Sequence, residues 1–399
     1  MNSHLIRIQL TILLIGAGLL ISTQAVQATV GYYHVYVNSL AIQSNGKILA
    51  AGRIEATHTS QGFLVSLYSD GTLDRLLLLS TLHSVNKFAI QPDGKILVAI
   101  GIHPGLTQLN QTRLLRLYPN GRIDSSFNAE PYLARTLVLD VQPDGKILIG
   151  GFANYGGPPY RNNPKCGNAF YRLKADGSID ETFKTVVKRC VNDIIYVNDL
   201  AIQSDGKIII AGQFTVINQQ PCPNICRLNK DGGLDMSFNA FTNGRVARIA
   251  IQPDDKILIT GNYTQITGKP RQSVDSLNLD GTLDSSFKPS SKGNVISMDV
   301  RPDGKALVGW DSKGVWVYDN DEKSLGRLNP DGSDDINFKK STSHIVKTIA
   351  VQADNKILVG MHVLGLVRLN PDGGIDKSFR SLRETFSSLR DMFYRPFDQ

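Results

Sequence analysis

The sequence contains few of the residues on which several protein classes depend. Only 8% of its 399 residues are aromatic, and it has two tryptophans, five methionines and four cysteines. After the N-terminal segment no apolar run approaches the ~20 residues that a membrane-spanning helix requires, which excludes a polytopic membrane protein. The formal net charge is +7, but no run of five or six cations occurs, so we expect no nucleic-acid partner. Hydrophobic residues make up 41% of the chain and charged residues 20%, a balance that excludes disorder.

The N-terminal segment, residues 1–28, has the pattern of a secretory signal. A single cation precedes an apolar stretch, and the small residues Ala25 and Ala28 follow it. A membrane anchor is the alternative, but the unbroken apolar run Ile12–Ile21 is too short to cross a bilayer. We predict cleavage after Ala25 or Ala28 and a periplasmic, cell-envelope or secreted protein. Export also makes the cysteines candidates for disulfides.

The rest of the chain is one unit written seven times, here called repeats 1 to 7. Its first anchor reads FAIQPDGKIL at 88–97 and recurs with small changes at intervals of 48 to 61 residues. A second anchor, such as RLNPDGGIDKSF at 368–379, follows each first one. The lysines of the first anchors are Lys47, Lys95, Lys146, Lys207, Lys256, Lys305 and Lys356.

Both anchors predict strands joined by tight turns. Apolar residues alternate with small or polar ones up to a glutamine, and a second apolar run follows the turn. Glycine supplies the positive φ of that turn, and the two copies without it have Asp255 and Asn355, which tolerate this conformation. The second anchor has glycine followed three residues later by aspartate in every copy. Each repeat should therefore hold three strands and a short fourth.

A period near 50 residues with about four strands is typical of a β-propeller blade. We therefore predict an all-β fold, a seven-bladed β-propeller over residues 29–379. The paired Gln-Pro-Asp-Gly-Lys-Ile-Leu and Arg-Leu-Asn-x-Asp-Gly motifs resemble the delta-sixty repeat family of bacterial exported β-propellers. The resemblance covers residues from about 35 to 379. It implies the propeller and the exported location, and it implies no activity.

Residues that recur in most repeats are interpreted as structural. The arginine of the second anchor should pair with the aspartate of its own repeat, but repeats 1 and 5 have Ser66 and Ser276 instead. The aspartate should therefore also cap the turn before the phenylalanine, which should pack between blades. Calcium loops at Asn229–Gly232 and Asn370–Gly373 are the alternative to tight turns, although both lack the alternating carboxylates and the distal glutamate of such loops.

Departures from the repeat fall on one end of the blades, where function is expected. Repeat 3 has two insertions that carry Cys166 and Cys190, and Cys222 and Cys226 lie in the corresponding loop of repeat 4. We prefer the disulfides Cys166–Cys190 and Cys222–Cys226 among three connectivities, with a zinc site as the alternative. The insertion of residues 154–166 also contains types favoured at binding hot spots. These candidate binding residues are Tyr155, Tyr160 and Arg161.

Histidines also cluster in repeats 7, 1 and 2. His34, His83 and His344 lie eight or nine residues before the turn glutamine, and the other three are His58, His103 and His362. Three imidazoles around a channel mouth suit ligand binding, and they also raise the alternative of a metal-dependent hydrolase or lyase. No carboxylate accompanies them at a matching position, and no Gly-x-Ser-x-Gly motif occurs. We therefore assign no catalytic residue, metal ligand or cofactor.

The tail, residues 380–399, leaves the strand pattern. Leu382, Phe386, Leu389 and Phe393 are spaced as on one face of an amphipathic helix. We expect this helix to cover the seam between repeats 7 and 1, with docking to a membrane surface or a partner as the alternative. The prediction from sequence is a monomeric, exported binding or scaffold module. It would recognise a protein or a glycan through the loop face of the propeller.

Overall fold

The computed structural model describes most of the repeats. The described residues are 34–56, 59–80, 83–102, 112–130, 132–153, 166–190, 195–271, 273–289, 294–311, 324–339, 342, 344–362 and 364–386. The predicted signal, His58, His103, Tyr155, Tyr160, Arg161 and residues 387–399 of the tail lie outside them. Among the described residues no helix is long and apolar enough to cross a membrane.

Each repeat forms antiparallel β-structure. Repeat 1 contains β1 (His34–Ile42), β2 (Ile48–Ala56), β3 (Thr59–Leu67) and β4 (Leu73–Ser80). Repeat 2 contains β5 (His83–Ile90), β6 (Ile96–Ile102) and β7 (Thr112–Leu117). Repeat 3 contains β8 (Leu133–Val141), β9 (Ile147–Ala153), β10 (Cys166–Asn168), β11 (Phe170–Leu173) and β12 (Lys188–Cys190).

The later repeats keep the same three main strands. Repeat 4 contains β13 (Tyr196–Ile202), β14 (Ile208–Gln213), β15 (Val216–Ile217), β16 (Gln220–Pro221) and β17 (Ile225–Leu228). Repeat 5 contains β18 (Val246–Ile251), β19 (Ile257–Gly261), β20 (Gln265–Ile266), β21 (Lys269–Pro270) and β22 (Ser273–Leu277). Repeat 6 contains β23 (Asn294–Val300), β24 (Ala306–Asp311) and β25 (Leu325–Leu328), and repeat 7 contains β26 (Val346–Val351), β27 (Ile357–Met361) and β28 (Gly365–Leu369).

The turns follow the sequence prediction closely. The glycines of both anchors have φ between 79° and 93°, and Asp255 and Asn355 replace glycine with φ of 62° and 64°. The fourth strand, however, is shorter than expected. In the described chain only repeat 1 has a paired fourth strand, β4, while repeats 2 to 7 each have a single bridge such as Leu117↔Ile123.

The aspartate that follows each bridge holds the end of the repeat through its side chain, so little strand pairing is needed there. In repeat 2, Asp124 accepts hydrogen bonds from the Ser126 backbone N–H at 3.0 Å and from Arg116 Nε at 2.9 Å. Lys95 Nζ, from the first anchor, also lies 3.2 Å from the same carboxylate. The predicted cap and the predicted Arg–Asp pair are therefore both present, and the lysine is a third partner that sequence reasoning missed.

Hydrophobic clusters fill the spaces between consecutive repeats. Phe127 packs with residues of repeats 2 and 3, and Phe379 packs with residues of repeats 7 and 1. In repeat 1, Leu77 takes the place of the phenylalanine and packs against repeat 2. Each phenylalanine therefore packs between neighbouring sheets, as predicted, although Phe183 and Phe238 are only partly buried.

The first and last repeats also contact each other. Val35 forms a parallel bridge with Leu364, and Leu366 belongs to the same cluster as Val37. The tail begins with one helical turn at 382–386, which Ser381 and Glu384 cap reciprocally. Leu382 and Phe386 of this turn pack on the same cluster, so the described part of the tail covers the seam between repeats 7 and 1.

The whole is an all-β, propeller-like fold.

Candidate functional site

A β-bulge occurs at the same place in the first strand of every repeat. In repeat 1 the register shifts between Val37 and Ser39, so that Asn38 has no partner on β2. The residue before the bulge is a buried valine in most repeats. The residue after the bulge lies four positions before the turn glutamine. Bulges re-aim side chains, and the residues that follow these bulges are Ser39, Lys87, Val138, Asp199, Arg248, Ser297 and Thr348. In repeats 2, 4, 5, 6 and 7 this residue faces the centre of the fold, whereas Ser39 is buried away from it and Val138 packs in the core between repeats 3 and 4.

One cavity of about 700 Å³ lies at the N-terminal ends of these strands. Residues from each of the first strands β1, β5, β8, β13, β18, β23 and β26 line it. Its size is within the range of small-molecule sites. It lies at the end of the fold where the loop face was predicted.

The cavity is strongly basic. Six of the described residues that line it are Lys or Arg, against the single carboxylate of Asp199. The six are Arg53, Lys87, Arg135, Arg245, Arg248 and Lys347. A concave surface lined with charge of one sign focuses its field on ligands of the opposite sign.

On the side of repeats 1 and 7, an arginine is held on an aromatic ring. The Arg53 guanidinium lies 4.5 Å from the centroid of the Tyr36 ring and 2.9 Å from the carboxylate of Glu55. His362 contacts the same ring edge to face at 4.4 Å. Burial, and after it the Lys347 and Arg53 charges, lower the pKa of His362 to about 4, so this imidazole is neutral at pH 7. Burial also raises the pKa of Tyr36 to about 12, with Glu55 adding to the effect.

A second aromatic and arginine group lies across repeats 3, 4 and 5. Phe152 and Tyr196 stack with ring centroids 4.5 Å apart. Arg245 Nη1 is 3.3 Å from the Tyr196 hydroxyl, and Arg135 pairs with Phe152 in the β8–β9 ladder. Within the described part of the chain neither Arg135 nor Arg245 forms an ion pair. This arginine pair is therefore the least neutralised charge of the cavity.

Below the arginine pair, charges of both signs face one another. Asp199 accepts hydrogen bonds from the Leu200 and Ile249 backbone N–H groups at 3.1 and 2.9 Å. Burial raises the pKa of Asp199, while Arg248 and Lys87 oppose that shift. Burial lowers the pKa of Lys87, and Arg248 adds to that effect. The negative charge of Asp199 thus partly offsets the charges of Arg248 and Lys87, whereas the arginine pair has no such carboxylate among the described residues.

The predicted histidine site is only partly described. His34 is 6.3 Å from the Tyr36 ring, on which His362 also packs, whereas His344 lies beside Arg383, whose charge adds to burial in lowering the His344 pKa. β5 begins at His83, whose side chain is not described. No three His, Cys, Asp or Glu side chains among the described residues are placed to hold a metal ion.

The cysteines follow the predicted pairing where they are described. Cys222 and Cys226 form a disulfide, which leaves neither thiol for the alternative zinc site. The backbone register of β10 and β12 places Cys166 directly opposite Cys190.

Sequence reasoning missed the cavity, although a signal for it exists. Four and seven positions before the turn glutamine, the otherwise regular first strand changes from repeat to repeat. Seven positions before it stand Tyr36, Ser84, Arg135, Tyr196, Arg245, Asn294 and Ile345. Other repeats have different residues at these positions, so the scaffold does not require arginine or tyrosine there. Such residues are therefore candidates for a functional site.

Comparison with known proteins supports a β-propeller repeat family. Residues 142–183, 203–238, 252–287 and 352–379 match the family described as a domain of unknown function (DUF5122) beta-propeller. No curated protein is similar enough in sequence to count as a relative.

Similar solved structures have the same fold at low sequence identity. Virginiamycin B lyase from Staphylococcus aureus has a TM-score of 0.51 at 13% identity, over 83% of this chain and 94% of the lyase. Its catalytically inactive variant with Quinupristin also gives 0.51, at 14% identity, over 86% and 97% of the two chains. A streptogramin B lyase gives 0.51 at 11% identity, over 84% and 96%. At these identities the similarity concerns the fold alone.

Proposed function

We propose that this protein is an exported, seven-bladed β-propeller that binds an anionic ligand in its central basic cavity. The observation that carries the proposal is the six cationic side chains against one carboxylate around a cavity of about 700 Å³. Aromatic rings hold two of these arginines in place, which lowers the entropy lost when an anion binds. The cations around His362, Lys347 and Arg53, disfavour a metal cation there.

The ring itself is part of the proposal. Seven repeats in the sequence and the contacts of repeat 7 with repeat 1 support closure into seven blades. The N-terminal segment supports export, as does the Cys222–Cys226 disulfide more weakly. The paired anchors support assignment of the repeats to the delta-sixty family.

Isothermal titration with citrate and inorganic phosphate tests the anion site. We expect binding that weakens as sodium chloride rises, because salt screens accessible charges. The double variant Arg135→Gln/Arg245→Gln should lose this binding. The matched control is Arg122→Gln, which removes one charge from an exposed residue of a second-anchor turn. Equal binding by the double variant and the wild type would place any anion site elsewhere.

A further inference from the structure

We infer that the ligand of the central cavity is a sugar acid, free or within an oligosaccharide. Such a molecule carries a carboxylate on a ring that is rich in hydroxyl groups. This inference rests on the proposed anion site and adds the chemistry of the rest of the ligand.

The wall of the cavity is too polar for a mainly apolar ligand. Sites for drug-like or lipidic molecules are lined predominantly by apolar side chains. Here only five lining residues, Leu137, Phe152, Ile249, Met298 and Ile349, are aliphatic, thioether or phenyl side chains. Amides and hydroxyls alternate with the cations around the rest of the wall. A ligand that satisfies this wall must itself carry many hydrogen-bonding groups.

Several amides are fixed in place by the fold and keep an acceptor for a ligand hydroxyl. Asn38 Nδ2 donates to the Val85 carbonyl at 3.2 Å, and Asn198 Nδ2 donates to the Val246 carbonyl at 3.0 Å. Each bond ties the first strand of one repeat to that of the next. It orients the amide and leaves the Oδ1 atom as an acceptor. Two equivalent amides, one in repeat 1 and one in repeat 4, therefore each keep an acceptor among the residues that line the cavity.

The arginine pair and the stacked rings define where the carboxylate sits. Arg245 contacts Tyr196 of the Phe152–Tyr196 stack, Arg135 is the ladder partner of Phe152, and guanidinium groups bind carboxylates through two parallel hydrogen bonds. Phe152 is half-buried and offers an apolar edge to the C–H face of a sugar ring. A carboxylate attached to such a ring can reach an arginine while the ring rests on this edge. The cavity thus matches an acid carried by a pyranose better than a compact inorganic anion.

The volume of the cavity limits the length of ligand that fits inside it. A cavity of about 700 Å³ admits one or a few sugar units, so a polysaccharide would enter by an end or by a short segment.

The test compares trisaccharides of galacturonate, glucuronate and mannuronate with neutral galactotriose, citrate and sulfate by isothermal titration. We expect at least one uronate to bind about tenfold or more tightly than galactotriose, since a charge-assisted pair contributes about that much. The same uronate should also bind more tightly than citrate, which can pair with the arginines but has no sugar ring to contact Phe152 and the amides. Arg135→Gln should weaken the uronate about tenfold and leave galactotriose unchanged. Arg135→Lys, which keeps the charge and loses the paired geometry, should fall between the two, and Arg122→Gln should match the wild type.

The outcomes separate the two proposals. If citrate or sulfate binds through the arginine pair and no uronate binds more tightly, the sugar-acid inference is wrong and the anion site stands. If galactotriose binds as tightly as every uronate, the carboxylate assignment is wrong. If no anion binds to protein whose thermal unfolding is normal, both proposals are wrong. A thermal scan of each variant distinguishes lost binding from lost folding.

Discussion

The guanidinium of Arg368 in repeat 7 donates a hydrogen bond to the backbone carbonyl of Ser69 in repeat 1, 299 residues earlier in the chain. The same side chain pairs with Asp376 at 2.8 Å and lies 4.7 Å from the Phe379 ring centroid. Arg116 makes the equivalent bond from repeat 2 to Ala175 in repeat 3. The last repeat is therefore joined to the first by the same arginine-to-carbonyl hydrogen bond that joins repeat 2 to repeat 3.

We predict that Arg368→Ser and Arg116→Ser lower the free energy of unfolding by similar amounts, about 2–3 kcal/mol each, since both lose hydrogen bonds made by a charged group. Serine is a fair replacement because Ser66 occupies this position in repeat 1 and donates to Asp74 at 3.0 Å. Urea unfolding of both variants measures the difference. A negligible effect of Arg368→Ser beside a normal effect of Arg116→Ser would mean that the seam is open in solution.

Two turn glycines provide an independent test of the seam. Gly71 and Gly145 have φ of 88° and 82°, so alanine is strained at both, by about 1–2 kcal/mol. A Cβ on Gly145 meets no atom within 4 Å, whereas a Cβ on Gly71 would overlap the Arg380 carbonyl group of the tail. Gly71→Ala should therefore cost about 1–3 kcal/mol more than Gly145→Ala in thermal or urea unfolding. Equal costs would show that residues near Arg380 do not dock on repeat 1.

Asp275 should make the protein less stable as pH rises. Burial raises its pKa from 3.8 to about 7, although the Tyr263 hydroxyl, 3.1 Å away, and Arg271 oppose the shift. Between about pH 4 and pH 7 the folded protein holds a proton that the unfolded chain has released. The free energy of unfolding therefore falls over that interval, by a few kcal/mol since one pKa unit is worth about 1.4 kcal/mol. Asp275→Asn should reduce this slope in urea unfolding, and Asp299, whose pKa burial raises to about 6, should account for part of the slope that is left.

The control for Asp275 is an aspartate whose pKa is shifted the other way. At Asp335 burial is outweighed by hydrogen bonds from Lys305 and Arg327, which lower the pKa to about 2. Its contribution to stability is present above about pH 4 and is lost as pH falls towards 2, so Asp335→Asn should alter the acid limb alone. An unchanged slope between pH 4 and 7 in Asp275→Asn would contradict the assignment of that slope to Asp275.

We predict a second disulfide between Cys166 and Cys190. Directly opposed residues of an antiparallel pair have Cα atoms about 4.5–5.5 Å apart, which suits a disulfide. Non-reducing peptide mapping should recover Cys166 linked to Cys190 and Cys222 linked to Cys226. The double variant Cys166→Ser/Cys190→Ser should lose about 2–4 kcal/mol of stability. Free thiols at both positions, or a link from Cys166 to Cys222, would refute this pairing.

The scaffold was predictable because its chemistry is repeated. A turn that needs positive φ accepts few residues, and the chain shows which ones at Asp255 and Asn355. The separate role of the capping aspartate was visible in repeats 1 and 5, where serine replaces arginine. Lys95 was missed because its partner Asp124 lies 29 residues away, and spacing alone does not show that two turns meet.

The cavity was not predictable from the same reasoning. Its residues come from different repeats and share no local motif, so only their convergence at the centre makes them a site. Tyr36 and Tyr196 occupy equivalent positions, but one supports Arg53 from the neighbouring strand and the other contacts Arg245 from the next repeat. Such partners depend on how repeats are arranged around the centre. The loops of residues 154–166 drew attention instead because insertions are visible in a sequence.

The bulge in each first strand separates residues that pack the sheet from a residue that varies between repeats. On one side stand the turn and a buried residue before the bulge, which is valine in every repeat except repeat 3, where it is Thr136. On the other stands a side chain that differs between repeats and lines the cavity in repeats 2, 4, 5, 6 and 7, whereas Val138 of repeat 3 packs in the core. Four repeats of this chain have four different residues at this position: Ser39, Lys87, Asp199 and Arg248. Single substitutions at this position in separate repeats can therefore change which ligand the protein binds without changing its fold.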